Sequence, residues 1–268
     1  MNRMRGDQEG VKARLRIVAA ARGTAAGHAL DEATVERYAA TIALLPPPPC
    51  AVLDVGCGTG VLVDVLGELG YQAFGIDINP AAMEGMSMPH RVGGIDAIPE
   101  EDQSVDVVLA NEILEHLRIG VYEAGIRELA RVARQRVVIT VPNAESLAAS
   151  STRCPYCGCM YSAHGHVRRF DRTHLPALIP SFSLSHSGEV GPYKLRHNLI
   201  EWHVRRRLLG RWPAAPSRTC PQCGFRQPGE PTVRSGQGSG LSRAARWIAA
   251  VPWRRWWLIA QYDRSADP

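Results

Sequence analysis

Lysine is almost missing from this 268-residue chain: Lys12 and Lys194 are the only two, so a formal charge of +5 rests on arginine. That balance is mild. It permits an anionic substrate or an RNA contact, but a solvated basic surface accounts for it, because Arg205–Arg207 and Arg254–Arg255 are not interleaved with an aromatic recognition motif. Long apolar runs are missing too. The Trp247–Ala260 segment is broken by Pro252, Arg254 and Arg255, and the early stretch Ile17–Ala21 ends at Arg22, too short for a secretory signal. The expectation is a cytoplasmic protein with no membrane contact. Nor do the cysteines form a secreted disulfide framework, since there are seven and their spacing points to metal. What remains is the composition of an ordinary globular chain, 45% hydrophobic and 21% charged, long enough for one main core.

Residues 1–28 mix arginine, glycine and alanine without a clean period and read as an arm or irregular lead-in helix. From Asp31 to Leu45, Val35, Tyr38, Ala39 and Ile42 recur at helical spacing until Pro46–Pro49 stop the helix. Ala51–Val55 is a β-branched run entering the glycine turn Gly56–Gly60, and Val61–Leu69 continues as a helix. Tyr71–Ile76 is a second strand ending in Asp77, with Pro80 suited to the first turn of the next segment. His90–Ile95 is a weak strand, Val105–Ala110 a buried one, Ile113–Ala133 helical around a break at Gly120, and Arg136–Val141 another buried strand. Alternating strands and helices predict a mostly parallel sheet covered on both faces. Further on, Arg172–Ile179 reads as a short helix, Phe182–Val190 as a strand, Leu195–Leu209 and a segment near Ala244 as helices, and Trp256–Tyr262 as a terminal strand. Apart from two paired cysteine turns there is no internal repeat.

The stretch Val52-Leu53-Asp54-Val55-Gly56-Cys57-Gly58-Thr59-Gly60 carries the chemistry. A buried strand that ends in alternating glycines turns tightly and lets a ligand approach the backbone beside the positive end of the next helix. Asp77 ends the following strand, where a carboxylate can take both hydroxyls of a ribose. A dinucleotide would want glycine where Val61 stands. With Asp54 placed to meet an ammonium and no basic residue in the turn, the site suits a nucleoside with an amino-acid end and no phosphate.

Val52–Gly60 resembles motif I of the class I S-adenosylmethionine-dependent methyltransferases, and Phe74–Pro80 resembles the segment after it. Asp96-Ala97-Ile98-Pro99 with Ser104–Val108, Glu112–Leu117 and Glu128–Asn143 resemble later segments of the same superfamily, over residues 31–190. The resemblance implies an α/β, Rossmann-like sheet with an antiparallel last strand. It also implies S-adenosyl-L-methionine as cofactor: Gly56, Gly58 and Gly60 at the methionine end, Asp54 near its amino group, Asp77 at the ribose, Ile78 among the cofactor-binding residues, Asp96 and Ala97 at the adenine, and Asn111 beside the sulfonium.

Transfer from a sulfonium depends mainly on orientation. An alcohol or phenol acceptor adds the need for a base, for which His116 (with Glu115), His164 and His166 are the candidates. His116 also reads as a helix residue packed under the pocket, and the His164–Asp171 stretch as a stabilising one.

Cys154-Pro155-Tyr156-Cys157-Gly158 and Cys220-Pro221-Gln222-Cys223-Gly224 are two copies of one turn, together supplying four thiolates for a closed, structural zinc. A glutaredoxin-like dithiol at Cys154–Cys157 would leave the second copy unexplained. Cys159 is a spare thiol or a substitute ligand. The expected organisation is an arm at 1–30, a methyltransferase domain at 31–192 and 254–264, and a zinc knuckle with helical insertion at 154–159 and 193–253. The expected acceptor is oxygen or nitrogen of a small metabolite of the sugar or natural-product kind. Rival expectations are a methyltransferase acting on RNA or protein and an inactive zinc-binding scaffold.

Overall fold

The computed structural model describes residues 2–22, 30–194, 212, 218–226 and 254–265. The chain forms two compact units: Met1–Asn143, Phe170–Pro192 and Arg255–Pro268 in the first, Ala144–Arg169 and Tyr193–Arg254 in the second. The expected helices at 195–209 and near Ala244 fall outside the described residues.

In chain order the strands are β1 (Ala51–Val55), β2 (Gln72–Asp77), β3 (His90–Val92), β4 (Val105–Asn111), β5 (Ala133–Pro142), β6 (Ser151–Arg153), β7 (Met160–Ser162), β8 (Phe182–Lys194) and β9 (Arg254–Arg264). Seven of them form one sheet in the order β3-β2-β1-β4-β5-β9-β8, while β6 and β7 pair antiparallel by themselves in the second unit. β1, β2, β3, β4 and β5 are parallel to their neighbours and β9 is antiparallel to β5. This is the mostly parallel, Rossmann-like sheet with an antiparallel last strand. β8 is also antiparallel to β9, since Ser181 O meets the Ser265 amide at one end and Gly191 O meets Arg255 at the other.

Val52, Leu53 and Val55 of β1, like Val107 to Ala110 of β4, are fully buried. Near-continuous apolar runs are what strands covered on both faces require. One face packs under α1 (Asn2–Arg22), α2 (Glu32–Ile42) and α3 (Val61–Glu68), the other under α4 (Ile119–Val132) and the segment from Phe170 to Phe182. The lead-in is thus a full helix, anchored by Leu15, Val18 and Ala19, one apolar stripe at i, i+3 and i+4. Asp31 caps α2 by accepting the Thr34 amide at 2.7 Å.

Two local expectations are corrected. Between β4 and α4 the break falls at Leu117–Arg118, after a 3₁₀ turn at Leu114–His116, and Gly120 lies inside α4. Arg172–His174 is a single 3₁₀ turn and not a helix to Ile179, because Asp171 accepts the Thr173 amide and locks a short capping turn. Among the described residues no helix is long and apolar enough to cross a membrane.

Candidate active site

The chain runs from β1 to β2 on one side and to β4 on the other, so the sheet's switch point opens at the carboxyl end of β1, where open α/β sheets place ligands. Val55 is in register with Ile76 and with Ala110. Gly56, Asp77 and Asn111, each one residue further on, therefore share one level at the rim.

Gly56, Gly58 and Gly60 have φ of 74°, 53° and 70°, a region that side chains with Cβ rarely adopt. Their surroundings differ. A Cβ on Gly56 would lie 2.6 Å from Ile113 Cδ1 and one on Gly60 2.4 Å from Met86 Cε, whereas at Gly58 nothing stands within 4 Å. The tip of the turn faces open space. Its conformation is held from β2: Gly58 N donates to Asp77 Oδ2 and Asn79 N to Asp77 Oδ1, both at 2.9 Å. A carboxylate has about four acceptor positions, so two such bonds leave capacity for hydroxyl donors.

Asp54 is 4% exposed. Burial pushes its carboxyl up to about 7, opposed by the Asn111 hydrogen bond and the Arg37 charge. Asn111 Nδ2 donates to Asp54 Oδ1 at 3.4 Å, while Asn111 Oδ1 accepts from Thr140 Oγ1 at 3.1 Å. Among the described residues Arg37 is the cation whose charge bears on this carboxylate, and an incoming ammonium would add to it.

Arg37, Glu112 and Trp257 are residues that the sequence reading missed. Arg37, on α2 and 7% exposed, has its guanidinium 5.0 Å from the ring centres of both Tyr38 and Trp257, and Nη1 donates to Thr140 Oγ1 at 3.4 Å. Glu112 follows β4 with a strained φ of 55° and accepts Trp257 Nε1 at 2.5 Å. Arg37 lies off the helical stripe of Val35, Tyr38, Ala39 and Ile42, so the spacing along α2 did not mark it.

Ile78 is 75% exposed, and Asp96 and Ala97 are exposed too. Ile78 and Asp96 converge on Gly94, where a Cβ would stand 2.5 Å from Asp96 Oδ1 and 3.8 Å from Ile78 Cγ2. The turn that carries Asp96 is held from α4: Glu128 accepts the Ile98 amide at 2.9 Å, and Arg131 donates to Ile98 O and Glu100 O. His116 Nε2 lies 3.9 Å from the fully buried Glu115. His164 and His166 belong to the second unit, where Glu145 holds His166 Nδ1 and also accepts Ser150 Oγ.

In that unit the two cysteine turns have one geometry. Gly158 N donates to Cys154 O and Gly224 N to Cys220 O, each at 3.0 Å, with the glycines at φ 76° and 72°. Cys154 and Cys223 sulfurs are 3.6 Å apart, as are those of Cys157 and Cys220, and all four lie within 4.8 Å of one another. Sulfurs set tetrahedrally about 2.3 Å from a zinc ion would be about 3.8 Å apart, so the set fits that ion. Burial raises the Cys220 thiol, but the Cys223 and Gln222 amides aimed at it outweigh this and bring it to about 6. Cys223 is pushed up to about 12: the Phe225 amide lowers it, and burial with the neighbouring sulfurs overcomes that. Cys159 stands outside the four-sulfur set, its carbonyl accepting the Cys154 amide at 2.8 Å.

A family model described as a methyltransferase domain matches residues 28–179, more than half of the chain. Ubiquinone biosynthesis O-methyltransferases are similar to shorter parts of it. The Methylobacterium nodulans protein is 35% identical over 82 residues, 27% of this chain and 33% of that protein. One from Xanthomonas campestris is 34% identical over 100 residues, 34% of this chain and 41% of its own length. The matches thus span between a third and two fifths of these relatives. A SAM-dependent methyltransferase structure from Methanosarcina mazei shares the fold, with TM-score 0.50 at 14% identity, covering 84% of this chain and 97% of that one.

Proposed function

Because the chain belongs to the methyltransferase-domain family, we propose that it moves the methyl group of S-adenosylmethionine to an oxygen or nitrogen of a small metabolite, of the sugar or natural-product kind. The observation that carries this reading is the open tip at Gly58 beside the Asp77 carboxylate, a ledge for a ribose next to backbone that a ligand can touch. The bound cofactor would supply an electrophilic methyl on a sulfonium.

The protein's own residues bind and orient. Asp54 meets the ammonium, which offsets its burial; Asp77 takes the ribose hydroxyls; Ile78, Asp96 and Ala97 line the adenine; Asn111 fixes Asp54 and borders the sulfonium. In-line transfer gains most of its rate from such positioning. For an alcohol or phenol acceptor the proton is taken by His116. The acceptor class is supported by the O-methyltransferases among the relatives, and the four-thiol cluster holds a structural zinc ion.

Calorimetry of the full, zinc-loaded chain with S-adenosylmethionine tests the reading. Saturable binding that Asp77→Ala weakens at least tenfold is the expected result. Folded protein that takes up no cofactor overturns it.

A further inference from the structure

The modest overall charge conceals a division. Residues 144–169 and 193–254 carry 15 lysines and arginines against 3 acidic residues, a net of +12, so the remainder of the chain is −7. One of those three acids, Glu145, is held by His166 and Ser150. The whole positive excess belongs to the second unit.

That unit also shows an aromatic surface that its sequence hides. The two cysteine turns bring Tyr156 and Phe225 into a stacked pair, ring centres 6.3 Å apart and planes within 10°. Tyr156 remains 81% exposed. Arginines flank the pair in the chain: Arg153 precedes Cys154 and donates to Gly158 O, Arg226 follows Phe225 and bridges to Thr219, and Arg218 donates to His164 O. Arg153, Arg169, Arg218 and Arg226 are all exposed.

We propose that the second unit docks single-stranded nucleic acid, with bases stacking on the Tyr156–Phe225 pair and phosphates met by the arginines of the cysteine turns. A solvated basic face explains the charge but leaves an exposed, stacked aromatic pair within it unexplained. Aromatic rings beside a basic track are the arrangement by which proteins hold unpaired bases without reading sequence, and guanidinium groups both fork phosphate and stack on rings. An anionic lipid surface would use the charge without needing a planar pair. A lone nucleoside diphosphate would leave most of the charge unused. The proposal goes beyond methyl transfer and is measured without cofactor.

Fluorescence anisotropy of a labelled 20-nucleotide oligouridylate with the full zinc-loaded chain is the test. Four phosphate contacts predict roughly a fiftyfold loss of affinity between 50 and 200 mM salt. Tyr156→Ala is expected to lose on the order of tenfold at constant salt, with unchanged zinc content and melting temperature. Arg153→Glu with Arg226→Glu should lower affinity further and flatten the salt slope, and serves as the second variant should Tyr156→Ala fail to fold. No binding at 50 mM salt, equal binding by Tyr156→Ala, or tighter binding to phosphatidylglycerol vesicles or to uridine diphosphate than to the oligonucleotide would each overturn the proposal.

Discussion

The Asp77 carboxylate accepts the amide of Gly58, nineteen residues earlier in the chain, at 2.9 Å, tying the end of one strand to the turn that follows its neighbour. Asp77→Asn keeps the size but exchanges one acceptor oxygen for an amide. We expect a stability loss of about 1 kcal/mol and a loss of cofactor affinity of ten- to a hundredfold. Thermal melts beside calorimetry check this, and equal affinity in the variant would remove Asp77 from the ribose.

Gly58 and Gly60 separate strain from occupancy. Both have positive φ, so alanine at either costs roughly 1 kcal/mol in backbone strain. At Gly60 the methyl also meets Met86, and the melting temperature should fall further than for Gly58→Ala. Gly58→Ala points its methyl into open space, so its main effect should be on cofactor affinity, by at least tenfold. Melting curves and binding isotherms of the two variants are expected to rank in opposite order.

Asp54 gives a pH dependence whose sign is fixed. Its carboxyl stands at about 7 in the folded chain against 3.8 unfolded, so the native state holds the proton more tightly. Its contribution to stability is fully present below about 4 and lost as pH rises through about 7. Cofactor binding runs the other way, since an ammonium favours the ionised form and affinity should rise between pH 6 and 8. Asp54→Asn should flatten both trends. Isotherms and melts at pH 6, 7 and 8 decide, and a wild-type affinity independent of pH would separate Asp54 from the ammonium.

Cys220→Ser removes one of the four thiols proposed to hold zinc, a buried one that the neighbouring amides bring down to about 6. Zinc content, measured by mass spectrometry, should drop well below one ion per chain, with lower protease resistance in residues 144–169. Unchanged stoichiometry would dismiss the four-sulfur site.

Much of this was legible beforehand because the signal was local. The Val52–Gly60 run, Asp77 and the twin cysteine turns each sit within a few residues, and their spacing encodes the geometry. What escaped depended on distant partners. α1 shows only one short apolar stripe, so its burial came from packing on α2 and α3 and not from its own period. Arg37 became a site residue because Trp257 and Tyr38 cover it. The break before α4 went to Arg118, at the helix N-terminus, and left Gly120 helical, since glycine costs little in a first turn. The Tyr156–Phe225 pair joins rings 69 positions apart, which no window along the chain could connect.

β8 and β9 lie side by side in opposite directions, and residues 195–253 join them. Topologically this whole stretch is the connection of a hairpin that a few residues could close. Lengthening such a connection from about four residues to about sixty costs only some 2–3 kcal/mol of closure entropy. The sheet can therefore accept, exchange or discard what hangs from that hairpin at small expense to itself, and a chain with a short turn there should still build the pocket at the end of β1.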